Sequence, residues 1–175
     1  MWIFGYGSLM TDGWEARYGC TQRDVAELHG YRRVFNKASI VNWGTRGSPC
    51  PTLNLEPFAG ALCVGIAFEF PEARGAEVEA YLAKREGRGF MLAPLEVVVK
   101  GVGSAHALVP LYTGKNILTP ETTQGLVATV QQACGTSGAC SDYVIDVHNQ
   151  LAKLGIDDPA VTQLREHLHA LGLGG

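Results

Sequence analysis

Hydrophobic and polar positions follow strand-like spacing over most of residues 1–112, broken by one helical stretch, and turn helical thereafter. Trp2-Ile3-Phe4 begins as an apolar strand and runs straight into Gly5-Tyr6-Gly7-Ser8-Leu9-Met10, a small-residue turn at the rim of a buried element. Trp14 and Tyr18, four residues apart, predict a short helix between Asp12 and Cys20 with both aromatics in the core. From Val25 to Val41 the β-favouring residues Tyr31, Val34, Phe35, Ile40 and Val41 indicate strand, and Gly30 makes it two strands or one bent one. Gly44, Gly47, Pro49 and Pro51 turn the next segment into a loop. Thr52 to Leu55 alternates with period two and Ala61 to Phe70 is a long apolar run, so both read as strands, the second central. Glu72 to Glu86 switches to helical spacing through Val78, Leu82 and Arg85, and Gly87 and Gly89 stop it. Met91 to Val99 and His106 to Tyr112 complete the strands.

Three helices follow. Thr119-Pro120-Glu121 supplies a hydroxyl cap and a first-turn proline, and Val127, Val130 and Ala133 continue the pattern. Val144, Val147, Leu151 and Leu154 mark the second helix, which ends at Gly155. The third starts at Asp158-Pro159 and carries Val161, Leu164, Leu168 and Leu171. All three are amphipathic and are expected to pack on one side of a sheet. No repeat, low-complexity tract or linker interrupts the chain, so residues 1–175 are read as one domain.

Composition narrows the function classes. The chain has 175 residues, 46% hydrophobic and 18% charged, with a net charge of −3. That balance carries no electrostatic case for nucleic acid or an acidic membrane. No apolar run reaches the ~20 residues of a membrane span, and the first residues lack a signal-peptide pattern, so the cytoplasm is the expected compartment. Cys20, Cys50, Cys63, Cys134 and Cys140 are an odd, widely spaced set without a CxxC, which argues for reduced and mostly buried thiols. His148, His167 and His169 have no Cys or acidic partners at ligand spacing, and no metal site is expected.

Candidate chemistry concentrates at two places. Glycines at 5 and 7 leave no side chain to block a ligand, so the amides around Tyr6 and Ser8 are candidates for an anion cradle. The pattern matches neither a phosphate-binding P-loop nor a dinucleotide fingerprint, and no nucleotide cofactor is implied. Glu86 stands at a helix C-terminus, where the dipole opposes its ionisation, and the glycines after it let a ligand approach. Its alternative role is a solvated carboxylate paired with Lys84, Arg85 or Arg88. In the 42–51 loop, Arg46 either grips a substrate carboxylate or faces water.

Tyr6-Gly7-Ser8-Leu9 preceded by Trp2-Ile3-Phe4-Gly5, then Tyr81-Leu82 and Arg85-Glu86, resembles the ChaC branch of the γ-glutamylcyclotransferases. Gly135-Thr136-Ser137-Gly138, Tyr143-Val144 and Leu154-Gly155-Ile156-Asp157-Asp158 extend the similarity over nearly the whole chain. The resemblance implies a compact α+β fold, a small curved or barrel-like sheet with flanking helices. It also implies a reaction in which the α-amine of a γ-glutamyl group attacks its own side-chain carbonyl, giving 5-oxoproline and a released amine or peptide. By that resemblance Tyr6, Gly7, Ser8 and Leu9 hold the γ-glutamyl moiety and Glu86 is the acid–base group. Tyr112, at the end of the last strand, is expected either to face the same pocket or to be a core tyrosine with a bonded tip.

The chemistry is compatible with those assignments. Cyclisation is intramolecular, so what it requires is a folded conformer and two proton movements. One carboxylate serves both in turn if burial and the helix end raise its pKa from ~4.3 toward ~6–7. No metal, nucleotide or covalent intermediate is needed. The chain departs from the branch at Asn42-Trp43-Gly44-Thr45-Arg46-Gly47, where a His-Arg-Gly segment is usual, and at Met10-Thr11-Asp12, where a Trp-containing continuation is usual. Both departures concern the end of the substrate beyond the γ-glutamyl group. Glutathione is the first substrate expected, with other γ-glutamyl peptides and γ-glutamylamines next, and a non-catalytic small-molecule binding module is the rival from another class.

Overall fold

The computed structural model describes residues 1–87, 89–120 and 122–173. They form two compact units, one of Met1–Arg32 with Leu55–Lys115 and one of Arg33–Asn54 with Asn116–Gly175. The chain passes between them inside two long strands and once between Lys115 and Asn116, so no shift in composition marks a boundary.

The first unit is built around a barrel. Its strands are β1 (Trp2–Gly5), β2 (Gln22–Ser39), β3 (Cys50–Glu69), β4 (Phe90–Val99) and β5 (Gly103–Tyr112), closed in the order β1-β3-β2-β4-β5. β1 runs antiparallel to β3, from Trp2 opposite Glu69 to Gly5 opposite Ile66, and parallel to β5 through Trp2 and Ile3 opposite Ala107 and Leu108. β4 and β5 form a hairpin paired from Phe90 opposite Tyr112 to Val99 opposite Gly103. Phe4, Leu28, Leu55, Cys63, Val97 and Val109 fill the interior. Strands must curve to close so small a barrel, and the two longest bend at glycines, Gly30 with φ 77° and Gly60 with φ 79°. Gly30 thus gives one bent strand. The two strands expected at 52–55 and 61–70 are a single one, continuous through the bend at Gly60.

The second unit holds the outer parts of β2 and β3, a short hairpin of β6 (Cys134–Gly135) and β7 (Gly138–Ala139), and three helices. These are α2 (Thr123–Gln132), α3 (Cys140–Lys153) and α4 (Pro159–Ala170), since the helix of the first unit, Gly75–Glu86, is α1. The helices of the second unit pack on one another through Val127, Val130, Val144, Leu151, Leu164 and Leu168, all buried. The cap of α2 is Thr122, whose hydroxyl accepts from the Gly125 amide, three residues past the expected Thr119; Glu121 lies outside the described residues. At α4 the reading from Asp158-Pro159 holds: Asp158 Oδ1 accepts from the amides of Ala160 and Val161 at 3.1 and 3.3 Å. The expectation of wholly reduced thiols is corrected, because Cys50 and Cys140, 90 residues apart, form a disulfide. Spacing cannot reveal a bridge between the starts of a strand and a distant helix. Cys20, Cys63 and Cys134 are free thiols.

Among the described residues no helix is long and apolar enough to cross a membrane, and no group of three or more His, Cys, Asp or Glu is placed to hold a metal ion. The second unit also buries an ion pair, Arg33 Nη1 to Asp158 Oδ2 at 2.9 Å, with side chains 0% and 8% exposed. Removing one partner of such a pair leaves an uncompensated charge and costs about 3–5 kcal/mol. Asp158→Ala, which also removes the α4 cap, is expected to lose at least that much in urea unfolding. Asp158→Asn keeps a capping oxygen and should lose about 1 kcal/mol less.

Candidate active site

β1 delivers the glycine-rich loop to a fixed point. Ile3 and Phe4 are fully buried, and the chain then turns through a short 3-10 helix at Ser8–Met10, closed by the Met10 amide on the Gly7 carbonyl at 2.9 Å. Tyr6, Leu9 and Met10 point into the core while Ser8 is exposed. A Cβ on Gly5 would lie 3.1 Å from Leu9 Cβ, so the turn is tight enough to favour glycine there. Two donors clamp the far side: Trp14 Nε1 bonds the Leu9 carbonyl at 3.0 Å and Arg23 Nη2 the Met10 carbonyl at 2.7 Å. Trp14 and Tyr18 sit on a 3-10 helix, Trp14–Tyr18, rather than the α-helix their spacing suggests, because positive-φ glycines at 13 and 19 flank only five residues.

Helix α1 supplies the opposite side. Val78 and Leu82 are buried on its inner face, and Tyr81 and Arg85, one turn apart, lie half-buried along the flank of that face. Tyr81 stacks on Trp14 with centroids 5.4 Å apart and planes at 16°, and lies 5.0 Å from Tyr18. The indole that clamps the loop therefore also seats the helix. Glu86 is the last helical residue, followed by Gly87 at φ 75° whose amide bonds the Ala83 carbonyl at 3.1 Å.

Loop and helix end meet at Arg85. Its Nη2 donates to Ser8 Oγ at 3.1 Å, and its Nη1 donates to the Tyr81 hydroxyl at 3.0 Å and to Asp12 Oδ2. Its Nε lies 3.6 Å from Glu86 Oε1, and the Arg85 and Glu86 side chains are only 18% and 19% exposed. Burial alone opposes the guanidinium charge, but the bonds to Tyr81 and Asp12 and the Asp12 charge outweigh it and raise its pKa. Arg85 is charged at every working pH.

Of the residues singled out from sequence, Ser8 of the Tyr6–Leu9 loop and Glu86 are thus held to one guanidinium. Tyr112 is half-buried in the same unit, edge-on to Phe90 with centroids 5.1 Å apart. Its neighbour Thr113 bonds the Gly89 carbonyl through its amide at 2.6 Å, which ties the end of β5 to the segment after Glu86. Arg46 is exposed in the second unit, in a loop held by Thr45 N to Ser48 O at 2.9 Å and Ser48 N to Thr45 Oγ1 at 3.1 Å. Arg88, one of the alternative partners of Glu86, lies outside the described residues. Sequence reasoning missed Asp12, assigned Arg85 and Tyr81 no role of their own, and gave Trp14 only a core position. The i, i+4 spacing of Tyr81 and Arg85 was a legible signal; Asp12, 73 residues from its partner, offered none.

A family model described as ChaC-like protein matches residues 1–171. Gamma-glutamylcyclotransferase 2-3 of Arabidopsis thaliana is 29% identical over 94% of this chain and 86% of its own. The glutathione-specific gamma-glutamylcyclotransferase of Escherichia coli K12 is 26% identical over 94% of this chain and 71% of its own. Among solved structures, a yeast gamma-glutamyl cyclotransferase specific to glutathione superposes with a TM-score of 0.81 at 22% identity, covering 97% of this chain and 96% of that one, which establishes the shared fold.

The packing around Tyr112 generates a local test. A Cβ on Gly114 would overlap Tyr112 Cζ and Oη, and one on Gly89 would come within 3.0 Å of the ring. Gly114→Ala is expected to displace the tyrosine and cost about 1–3 kcal/mol, the usual range for overpacking, read as a lower melting temperature. The same change in a Tyr112→Ala background should cost little, since the obstructing ring is gone.

Proposed function

Since the chain belongs to the ChaC-like family, we propose that it is a γ-glutamylcyclotransferase that splits glutathione into 5-oxoproline and Cys-Gly. The observation that carries the site assignment is the single guanidinium that contacts both Ser8 and Glu86. It supports a reading in which the Glu86 carboxylate serves a substrate held by the glycine-rich loop.

The substrate is its own nucleophile. Its α-ammonium gives a proton to the Glu86 carboxylate, and the freed amine attacks the side-chain amide carbon, forming the ring C–N bond and a tetrahedral oxyanion. Collapse of that intermediate breaks the C–N bond to the cysteinyl nitrogen. Glu86 returns its proton to this leaving nitrogen, then takes the second proton of the ring nitrogen and passes it to the departing amine, which leaves as an ammonium, so the carboxylate is regenerated and no water is consumed. Holding the γ-glutamyl chain folded is the larger part of the task, because an aligned intramolecular attack has an effective molarity far above any bimolecular one. The Tyr6–Leu9 loop does that work in this reading. Its outward serine and side-chain-free Gly7 leave room for the glutamyl carboxylate. Tyr112, beside the segment that follows Glu86, closes the same end of the site in this reading.

Incubation of purified protein with glutathione is expected to release 5-oxoproline and Cys-Gly in equal amounts, faster than γ-glutamyl-lysine releases 5-oxoproline and lysine. Preference for the latter would make the protein a γ-glutamylamine enzyme, and no release from either would leave a binding module. Glu86→Gln keeps shape but exchanges no proton, so turnover should fall roughly 10²- to 10⁴-fold with little change in KM. A wild-type rate in that variant ends the assignment of Glu86. Tyr112→Phe should raise KM, and unchanged kinetics would return Tyr112 to a packing role.

A further inference from the structure

Most of the N–H groups of Arg85 are spoken for. Nη1 serves Asp12 and Tyr81, Nη2 serves Ser8, and Nε faces Glu86. A guanidinium has five N–H groups in a rigid fork, and one committed in three directions does not offer that fork to a substrate carboxylate without giving up a partner. Its role is therefore different from that of a substrate anchor. Its partners come from two segments far apart in sequence: Ser8 and Asp12 after β1, Tyr81 and Glu86 on α1. Asp12 and Tyr81 fix the fork, and the fork then fixes Ser8 relative to Glu86. Tyr81 is itself seated by the Trp14 ring whose Nε1 holds the Leu9 carbonyl, so the brace is anchored on both sides by one aromatic.

We propose that Arg85, set by Asp12 and Tyr81, is a positioning residue that holds the Ser8 loop against Glu86 and keeps the Glu86 carboxylate in its proton-accepting form. The proposal rests on the reading of Glu86 as the acid–base group. A fixed positive charge 3.6 Å from a carboxylate favours its ionised form, against the helix end and burial, which favour the neutral one. Charged and titratable groups on the neighbouring elements are Asp12 after β1, Glu77, Glu79, Tyr81 and Lys84 on α1 beside Arg85 itself, and His106 and Tyr112 on β5. Asp12 is the counter-charge that Arg85 already faces, so it lessens the pull of Arg85 on Glu86 without cancelling it.

The experiment compares Arg85→Lys, Arg85→Gln, Asp12→Asn and the Asp12→Asn/Arg85→Lys double variant by 5-oxoproline release from glutathione across pH, with melting temperatures on the same preparations. Lysine keeps a charge but has a single nitrogen, so kcat/KM should fall roughly 10- to 100-fold, the scale of a small misplacement at a reacting centre. The acid limb of its profile should stay where it is in the wild type. Glutamine removes the charge that favours the ionised carboxylate, so there the acid limb should move to higher pH. Asp12→Asn should lower kcat/KM by a smaller factor, and the double variant should be no worse than Arg85→Lys alone, because Asp12 acts through Arg85. Should the Arg85 variants not fold, Asp12→Asn, at a half-exposed carboxylate, still decides through its own kcat/KM. Wild-type kcat/KM in folded variants, or a lowered melting temperature with an unmoved acid limb in Arg85→Gln, overturns the proposal. Those outcomes with an inactive Glu86→Gln refute the brace alone, whereas a fully active Glu86→Gln refutes the reading on which it stands.

Discussion

The barrel closes on a strand of four residues. β1 is hydrogen-bonded along both edges, antiparallel to β3 and parallel to β5, and without it the remaining strands would form an open, curved sheet. So short a strand holds its place by close approach. Gly65 of β3 has no Cβ because one would overlap the Gly5 carbonyl oxygen and sit 2.6 Å from the Phe4 ring. The backbones can therefore press together where β1 ends, and the loop that follows has only one direction in which to leave. The contact of Ser8 with Arg85, and through it with Glu86, depends on that exit point.

How much was legible in the sequence follows from which forces are local. The apolar run into Gly5 and Gly7, the helical spacing of Val78 and Leu82, the glycine stop after Glu86 and the Asp-Pro start at 158–159 are each written within one turn or one strand, and each is found where the pattern puts it. Boundaries set by tertiary curvature were not. Residues 56–60 fall between the two expected strands but lie within one, since a closed barrel needs its longest strands to bend. Thr119-Pro120 has the chemistry of a helix start, yet Thr122 takes the cap because its hydroxyl reaches the Gly125 amide.

The site divides in the same way. Its separate halves were visible as short motifs, whereas the contact that joins them was not, because Asp12 looks like any solvated turn residue until α1 is laid beside it. Arg85 and Glu86 read as an ordinary surface pair, and they are a pair; what distinguishes them is the further commitment of the arginine to Ser8 and Tyr81. A residue two bonds away from the chemistry in this sense carries no signature of its own in sequence, since arginine beside glutamate near a helix end is common and weak in water.

The parallel pairing of β1 with β5 has a consequence for how the chain is made. Trp2 and Ile3 are made before Ala107 and Leu108 and find them only after more than a hundred further residues have been added. At synthesis rates of about 5–20 residues per second, that is several seconds during which an apolar strand has neither of its two partners on that edge. The nascent chain must carry this segment exposed or held by a chaperone until the β4–β5 hairpin forms. The element that seals the finished barrel is thus the one most open to mispairing while the barrel is being built.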